Sequence, residues 1–385
     1  MNPSTVTESI APASHSTLIA TQVEGGLELI DELGDEWRAL CDESPSDEPF
    51  YRPEWIRAHV RAFFPREKLL MLTVRASGRL VLILPLLKDT TVFCGVPVRR
   101  LRNPVNSHSC RFDAVRAPNA EGEPAIRSAW DHLAQRRDWD LLQLNEVPEG
   151  STLAAIVAQA EANQFRAGSI PERPNPIVPV PSDPEHLKKL PINARLRTKL
   201  RQIRRELAST GPLKFDRRVT ADSAALQRFY ELEASGWKGQ EKSAVACDPQ
   251  TRQFYDEIAK TAARFGYFSL YSLEIEGKLL AAHFGLAYKG RYYSPKVAFS
   301  EEFKQWSPGH LIVSEILQDC HSRGISCYDI TGPYDDWKMK WTDQVWARNT
   351  RFIFAKGLRG TAAYQARFWL RPLLKKMLRR KPHTA

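Results

Sequence analysis

A proline-rich stretch near the middle of the chain places the strongest constraint on its fold. Residues 171–184 contain six prolines, and proline lacks the backbone N–H that helix interiors and central strands need. We therefore exclude a helix here and interpret the stretch as a boundary between two domains. The length of 385 residues also exceeds what one ordinary core accommodates and favours two domains.

The elements predicted on the two sides of this boundary follow the same order. In the first half, apolar spacing predicts helices at 27–43 and 53–64, a hairpin at 69–88 turning at Ser77-Gly78, strands at 91–94 and 140–145, and helices at 125–135 and 153–164. In the second half it predicts a helix at 195–207, a strand at 213–219, helices at 224–237 and 249–265, a hairpin at 267–288 turning at Glu276-Gly277, strands at 291–299 and 325–331, and a helix at 310–323. This repetition predicts two related α/β domains on mixed sheets.

We divide the chain into four parts. Residues 1–22 are predicted to be disordered, 23–184 form an N-terminal domain, 185–357 form a C-terminal domain, and 358–385 form a basic amphipathic tail.

The formal net charge of +10 is concentrated in two segments. Residues 356–385 carry nine basic and no acidic residues, and residues 188–205 carry eight basic and no acidic residues. The 17 basic residues of these two segments exceed the net charge of +10, so the rest of the chain carries a small net negative charge. Such local charge argues against a uniformly basic nucleic-acid-binding protein.

The chain lacks the short motifs of several large enzyme classes. Its six cysteines and nine histidines are scattered, which argues against a zinc site or a disulfide framework and favours a reducing cytoplasm. Phosphate-loop, Gly-x-Ser-x-Gly and His-Glu-x-x-His motifs are absent from the sequence. No apolar run approaches the ~20 residues that span a bilayer, and the N-terminus has no signal-peptide pattern. We expect a cytoplasmic protein without a bound metal or cofactor.

The segment from Gln305 to His310 indicates an anion site. Ser307 is a suitable N-cap and Pro308 suits the first position of the following helix, while Gly309 allows close approach to the backbone. The free N–H groups and positive dipole end of a helix bind anions such as a pyrophosphate. The alternative is an ordinary capped helix without a ligand.

Residues around this turn resemble the GNAT superfamily of acyltransferases. The matching features are Trp237-Lys238 at a helix end, Leu280-Ala281-Ala282 in the hairpin, Tyr292-Tyr293, Ser307-Pro308-Gly309, Tyr328-Asp329, Gly332, and Lys338 with Trp341. Within the superfamily, the chain resembles the bacterial cellulose-biosynthesis acetyltransferase group (CelD/BcsL), which is related to Fem-type peptidoglycan aminoacyltransferases and to bacterial ceramide synthases. The usual phosphate loop, Gln/Arg-x-x-Gly-x-Gly/Ala, is only approximated by Gln305 and Gly309.

The resemblance implies two tandem GNAT-like domains, of which the C-terminal one is catalytic and the N-terminal one is degenerate. It also implies acyl-CoA as co-substrate, with an acyl carrier protein or aminoacyl-tRNA as alternative donors. The pyrophosphate of the donor would lie at the turn Ser307–His310, and its pantetheine arm between strands 291–299 and 325–331, which splay apart. An amine would attack the thioester directly, a reaction that needs a base, an oxyanion donor and an acid.

Three residues are candidates for catalysis. His283 lies in an otherwise apolar strand, where its intrinsic pKa suits a general base, although a core histidine bonded to a backbone carbonyl is the alternative. Asp329 would orient that base or bind the ammonium of the acceptor, unless it caps a turn. Tyr334 would supply the acid for the thiolate, unless it merely packs after the Gly-Pro turn.

Four residues are candidates for acceptor binding. Lys338, between Trp337 and Trp341, either binds an anionic group of the acceptor or is a solvated lysine on an aromatic helix face. The pair Trp237-Lys238 has the same two interpretations, and Lys296 is a further candidate.

The two basic segments suggest different partners. Residues 361–380 place leucines and aromatics opposite Arg and Lys, with a kink predicted at Pro372. Such a helix lies on an anionic membrane, at ~1 kcal/mol per basic residue, or packs on its own domain. The basic segment 188–205 would bind phosphates of coenzyme A, of a nucleotide-linked acceptor or of tRNA, although no RNA-recognition motif accompanies it.

We therefore predict a cytoplasmic, peripherally membrane-associated N-acyltransferase that uses acyl-CoA and an amine acceptor. The acceptor is an amino sugar, as in exopolysaccharide biosynthesis, or a lipid-linked or sphingoid amine, as in sphingolipid biosynthesis. The alternatives are Fem-type aminoacyl transfer from tRNA and a non-catalytic protein that binds acyl-CoA or lipid. Acyl length, the acceptor and the oligomeric state do not follow from the sequence.

Overall fold

Two mixed sheets covered by helices form the protein, which confirms the predicted α/β fold. The structure is a computed structural model that describes residues 17–183, 185 and 194–373.

The first half of the chain contributes α1 (Glu28–Glu43), α2 (Pro53–Phe63), α3 (Asn119–Gln135) and α4 (Thr152–Ala162), and the strands β1 (Leu18–Gly25), β2 (Lys68–Ala76), β3 (Arg79–Phe93), β4 (Val96–Arg102), β5 (Val115–Arg116), β6 (Leu141–Pro148) and β7 (Arg166–Pro171). The rest contributes β8 (Asn175–Pro179), α5 (Ala194–Thr210), β9 (Leu213–Arg218), α6 (Ser223–Ser235), α7 (Trp237–Gln240), α8 (Pro249–Arg264), β10 (Phe268–Ile275), β11 (Lys278–Tyr288), β12 (Arg291–Phe299), α9 (Pro308–Ser322), β13 (Cys327–Asp329), β14 (Val345–Trp346), β15 (Arg348–Phe354) and α10 (Leu358–Gln365).

Both predicted hairpin turns are confirmed. Ser77-Gly78 joins β2 to β3, and Glu276-Gly277 joins β10 to β11. All four residues have positive φ, at 47° and 87° in the first turn and 48° and 78° in the second. Positive φ at both central residues matches the right-handed twist of the paired strands, and glycine adopts it without a steric cost.

The two sheets exchange one strand each across the predicted domain boundary. The first sheet has the order β1-β2-β3-β4-β6-β15-β7, with β5 on β3, and the second has the order β14-β8-β13-β12-β11-β10-β9. β15, which comes late in the chain, therefore lies between β6 and β7, and β8 from the proline-rich stretch pairs with β13. The fixed φ of proline is compatible with extended backbone, so the stretch contains a strand although it excludes a helix.

A continuous core joins the two halves of the chain. Residues of α2 and β3 belong to the same buried cluster as residues of α8 and β11. Trp55 packs edge-on against Phe254 with ring centroids 5.0 Å apart, and Arg57 pairs with Glu257 at 3.1 Å. On the other face of the second sheet, α5 and α9 cover a second cluster, in which the predicted apolar stripe Leu196, Leu200, Ile203 and Leu207 is buried.

Two terminal predictions need correction or extension. Residues 18–22, predicted to be disordered, form part of β1, because β1 pairs with β2 along its whole length. The predicted helix at 361–380 is confirmed over its described residues, which are α10, a π-helical turn at Ala366–Leu370 and helical residues up to 373. There Phe368 packs on Phe354 of β15, with centroids 6.1 Å apart, while Trp369 is 62% exposed. The predictions for residues 1–16, 186–193 and 374–385 lie outside the described residues.

Candidate active site

A cleft opens where two parallel strands of the second sheet separate. β12 and β13 pair from Arg291–Cys327 to Tyr293–Asp329, after which β13 ends while β12 continues to Phe299. The cleft beside the unpaired part of β12 has a volume of about 560 Å³. It is lined by Leu232, Glu233, Gly236, Trp237, Lys238, His283, Val297, Ala298, Phe299, Glu301, Lys304, Ser307, Pro308, Gly309, His310, Asp335 and Trp337.

Seven of the twelve predicted site residues line this cleft. They come from three separate regions of the chain and are Trp237, Lys238, His283, Ser307, Pro308, Gly309 and His310. The other five, Gln305, Asp329, Tyr334, Lys296 and Lys338, are not among its lining residues.

The start of α9 offers fewer free amides than the sequence suggests. Ser307 caps the helix in the left-handed region, with φ 46° and ψ 53°, and its side chain makes no capping hydrogen bond. Its carbonyl instead accepts from the amides of His310 and Leu311 at 2.9 and 3.1 Å. Pro308 has no N–H, so the amide of Gly309 is the first-turn donor without an acceptor among the described residues.

His283 is a buried histidine in the wall of the cleft. It is 1% exposed, and its Nδ1 lies 3.1 Å from the Ser294 hydroxyl and 3.3 Å from the Tyr328 hydroxyl. Burial, helped by the charge of Lys238, lowers the pKa of His283 to about 3. The imidazole is therefore neutral at neutral pH, the form that accepts a proton.

His310 contacts a buried tryptophan. The indole N–H of Trp341 donates to Nδ1 of His310 at 3.0 Å. Burial, together with the charges of Lys340 and Lys199, lowers the pKa of His310 to about 4.

Glu233 is a cleft residue that the sequence analysis missed. Its side chain is fully buried, and its carboxylate accepts from the ammonium of Lys238 at 2.9 Å and from the amide of Val245 at 2.8 Å. Lys238 also donates to the carbonyl of Val297 at 2.7 Å. The helical spacing of α6 contains the signal, since Glu233 continues the buried stripe of Leu226 and Phe229 and thus places a carboxylate on an apolar face.

Lys296 lies close to the same carboxylate. Its ammonium is 3.9 Å from Glu233 and 5.3 Å from the ring centroid of Tyr255. Burial lowers the pKa of Lys296, while the charge of Glu233 opposes that shift.

Asp329 joins the two halves of the chain instead of lining the cleft. Its carboxylate accepts from the guanidinium of Arg111 at 2.7 Å and from the amide of Thr331 at 2.8 Å. Arg111 also donates to Glu48 at 2.9 Å, and the side chains of Arg111 and Asp329 are both 1% exposed. The contacts of Asp329 are thus those of a buried ion pair.

The remaining predicted residues have structural contacts. Lys338 donates to the carbonyls of Thr331 and Pro333 at 2.7 and 2.8 Å and so closes the loop after β13, and burial lowers its pKa to about 8. Tyr334 is 42% exposed and lies beneath the guanidinium of Arg173. Gln305 is exposed on the 3-10 turn before α9.

The corresponding strand pair of the first sheet is bridged by a side chain. β4 and β6 pair in parallel as far as Arg102–Gln143. Beyond that point, the amide group of Asn103 donates to the carbonyl of Asn145 at 2.8 Å and accepts from its N–H at 2.9 Å. Asn103 therefore connects the two strands just where β12 and β13 separate in the second sheet.

The cleft belongs to a recognised domain. Residues 194–339 match the model of a family described as acetyltransferase (GNAT) domain, and this range contains every lining residue of the cleft. No curated protein sequence matches the chain.

Solved structures share the fold of nearly the whole chain. The chain is similar to FemX, with a TM-score of 0.57 and 14% identity over 86% of this chain and 97% of that one. It is also similar to the C-terminal domain of a putative lysylphosphatidylglycerol synthetase from Agrobacterium fabrum, with a TM-score of 0.52 and 11% identity over 91% and 97% of the two chains. A third similar structure is the L-PGS of Bacillus licheniformis, with a TM-score of 0.50 and 12% identity over 88% of this chain and 96% of that one. At identities this low, the structural similarity shows that the chains share a fold and nothing more.

These findings define the class of protein. The chain is a mixed α/β protein in which residues 194–339 match an acetyltransferase (GNAT) domain, and it is an acyltransferase. Among the described residues, no group of side chains suited to a metal ion occurs, and no helix is long and apolar enough to cross a membrane.

Proposed function

We propose that the protein is an acyl-CoA-dependent N-acyltransferase that uses the cleft beside β12. The observation that carries this proposal is the combination, in one cleft, of a separated strand edge, the N-terminus of α9 and a buried neutral histidine. The unpaired edge of β12 offers backbone groups to a pantetheine arm, and the start of α9 faces the anionic end of the donor.

In this mechanism the amine of the acceptor attacks the thioester carbonyl carbon. The N–C bond forms and the C–S bond breaks, while one proton leaves the nitrogen and one proton reaches the thiolate. His283 accepts the first proton at Nε2, provided that its Nδ1–H donates to Ser294 or Tyr328. Because the pKa of His283 is about 3, the departing thiolate is a much stronger base than the imidazole and takes this proton from Nε2.

The acceptor enters, in our proposal, beside α7. Trp237 is 50% exposed and lines the cleft, as do the carboxylates of Glu233 and Asp335. An aromatic face with nearby carboxylates suits a protonated amino sugar or a lipid-linked or sphingoid amine. Lys238 holds Glu233 in position, whereas acceptor contacts of Lys296 and Lys338 stay predictions.

The N-terminal half is, in our proposal, a degenerate GNAT-like domain without a donor site. Asn103 supports this, because its side chain bridges the strand ends between which a pantetheine arm would have to lie.

The assignment to the CelD/BcsL group, with its relation to ceramide synthases, is likewise a proposal. So is peripheral attachment to the inner face of the cytoplasmic membrane. Trp369 and Leu370 are exposed, Arg367 and Arg371 flank them, and the tail after residue 373 adds five basic residues and no acidic ones.

The experiment that tests the function follows thiol release from acyl-CoA esters of two to eighteen carbons with glucosamine, sphinganine and an amine-free control. We expect thiol release that depends on both substrates. If acyl-CoA does not bind, and aminoacyl-tRNA instead donates to the same amines, the Fem-type alternative replaces this proposal. If acyl-CoA binds but no amine releases thiol, the non-catalytic alternative replaces it.

A further inference from the structure

We propose that Trp341 holds His310 in the tautomer with its proton on Nε2, so that His310 donates a hydrogen bond to the pyrophosphate of the donor. The identity of the ligand rests on the proposed function. The tautomer rests on the contact between the two side chains alone.

The contact fixes the direction of the hydrogen bond. An indole N–H donates and cannot accept, so Nδ1 of His310, 3.0 Å from Nε1 of Trp341, must carry its lone pair. A neutral imidazole with an accepting Nδ1 has its proton on Nε2. Trp341 is fully buried in the core under α9, and this packing holds its indole N–H in place.

The other ring nitrogen is available to a ligand. His310 lines the cleft, and Nε2 has no hydrogen-bond partner among the described residues. The amide of Gly309, one residue earlier, is likewise without an acceptor there. The start of α9 thus supplies two neighbouring donors, one from the backbone and one from a side chain, and both suit a phosphate oxygen.

The charges around His310 keep its imidazole neutral. Lys340 approaches from the 3-10 turn that holds Trp341, Lys199 approaches from α5, and burial with these two charges lowers the pKa of His310 to about 4. Lys304, Glu301 and Asp335 line the same cleft. Protonation of Nδ1 would also set two N–H groups against each other. His310 is therefore a donor of constant strength above about pH 5, and not a base.

The tautomer is tested directly by nitrogen-15 NMR of the histidine side chains. In the full chain, we expect His310 to show a protonated Nε2 and an unprotonated Nδ1 from pH 5.5 to 8. Trp341→Phe removes the indole N–H and keeps an aromatic ring, so its spectrum should show mixed tautomers and a higher pKa. Trp337→Phe is the matched control, because that ring lies 6.4 Å from His310 without a hydrogen bond to it, and it should keep the wild-type tautomer. A protonated Nδ1 in the wild-type chain would overturn the proposal, whatever the variants do.

The hydrogen bond from His310 to the pyrophosphate is tested by calorimetry with dephospho-CoA. This probe keeps the pyrophosphate and lacks the phosphate monoester, which itself titrates near pH 6. His310→Leu should weaken binding about 10-fold or more, the loss of one hydrogen bond to a charged group. His310→Gln, which retains an N–H at a similar position, should stay within about 3-fold of wild type.

The wild-type affinity should not change between pH 5.5 and 8, whereas Trp341→Phe should bind dephospho-CoA more tightly as the pH falls, because an imidazolium forms. Unchanged affinity in His310→Leu would remove His310 from donor binding. Absence of binding to the wild-type chain would instead contradict the proposed function, while the NMR result would still decide the tautomer.

Discussion

Replacing Arg111 by methionine is expected to destabilise the protein by about 3–5 kcal/mol, the usual cost of leaving buried charges without their partner. Arg111 lies between Glu48 and Asp329, at 2.9 and 2.7 Å, and its side chain is 1% exposed. Methionine fills similar space, but it leaves two buried carboxylates without a counter-charge. Since domains are typically stable by about 5–15 kcal/mol, this change removes a large part of the free energy of unfolding.

Asp329→Asn should cost less, about 1.5–3 kcal/mol, the range for a hydrogen bond to a charged group. Arg111 then still pairs with Glu48, and the asparagine oxygen still accepts from the amide of Thr331. The double variant should be less unstable than the sum of the two single variants, because the methionine and the asparagine remove the same interaction.

The loss of unfolding free energy in Arg111→Met should also become smaller as the pH falls from 7.5 to 5. Burial raises the pKa of Glu48 even with Arg111 present, and loss of the guanidinium raises it further. A carboxyl group whose pKa is raised in the folded state favours folding at low pH and opposes it as the pH rises through that pKa. Protonation at pH 5 therefore relieves part of the cost.

Urea unfolding followed by tryptophan fluorescence measures these differences. We expect a single transition, because one core joins the two halves of the chain. A cost below about 1 kcal/mol for Arg111→Met, well under that of a broken buried pair, would refute the reasoning. A loss of unfolding free energy that becomes larger at low pH would also refute it. A turnover of folded Asp329→Asn reduced by about 100-fold, the scale of a lost acid–base group, would show that Asp329 acts in the reaction.

Three further predictions concern the cleft and the tail. Gly309→Ala should raise helix stability by up to about 1 kcal/mol, since its Cβ meets Phe299 at an ordinary 3.5 Å, yet weaken CoA binding measured by calorimetry; unchanged affinity would show that no phosphate approaches this backbone. His283→Ala should lower turnover about 10²–10⁴-fold with little change in acyl-CoA affinity, and unchanged turnover would remove His283 from the mechanism. Deleting residues 369–385, which keeps Phe368 packed on Phe354, should abolish sedimentation with anionic vesicles; the membrane proposal fails if the full chain never sediments with them.

Local patterns predicted much of the fold and of the cleft. The two hairpin turns, the buried stripe of α5 and the proline at the start of α9 each depend on residues close together in the chain. The Ser307–His310 segment lines the cleft because it connects β12 to α9, an order that the sequence itself contains.

Long-range pairing could not be predicted in this way. The pairing of β15 with β6 and β7 joins segments about 200 residues apart, and no spacing rule reports such a contact. Asp329 is predicted to be catalytic because it lies in an apolar strand near the proposed thioester, but its ion-pair partner cannot be read from the sequence. That partner, Arg111, is 218 residues away in sequence. Glu233, in contrast, could have been predicted, because its position on the apolar stripe of α6 is visible in the local sequence.

The most direct test of the proposed acyl transfer is a single-turnover reaction of the full chain with acyl-CoA and an amine, in which free thiol and amide are both quantified. We expect one amide to form for each thiol released, and in His283→Ala we expect a bound donor that reacts far more slowly. Thiol release without amide, or amide formation only from aminoacyl-tRNA, would contradict it.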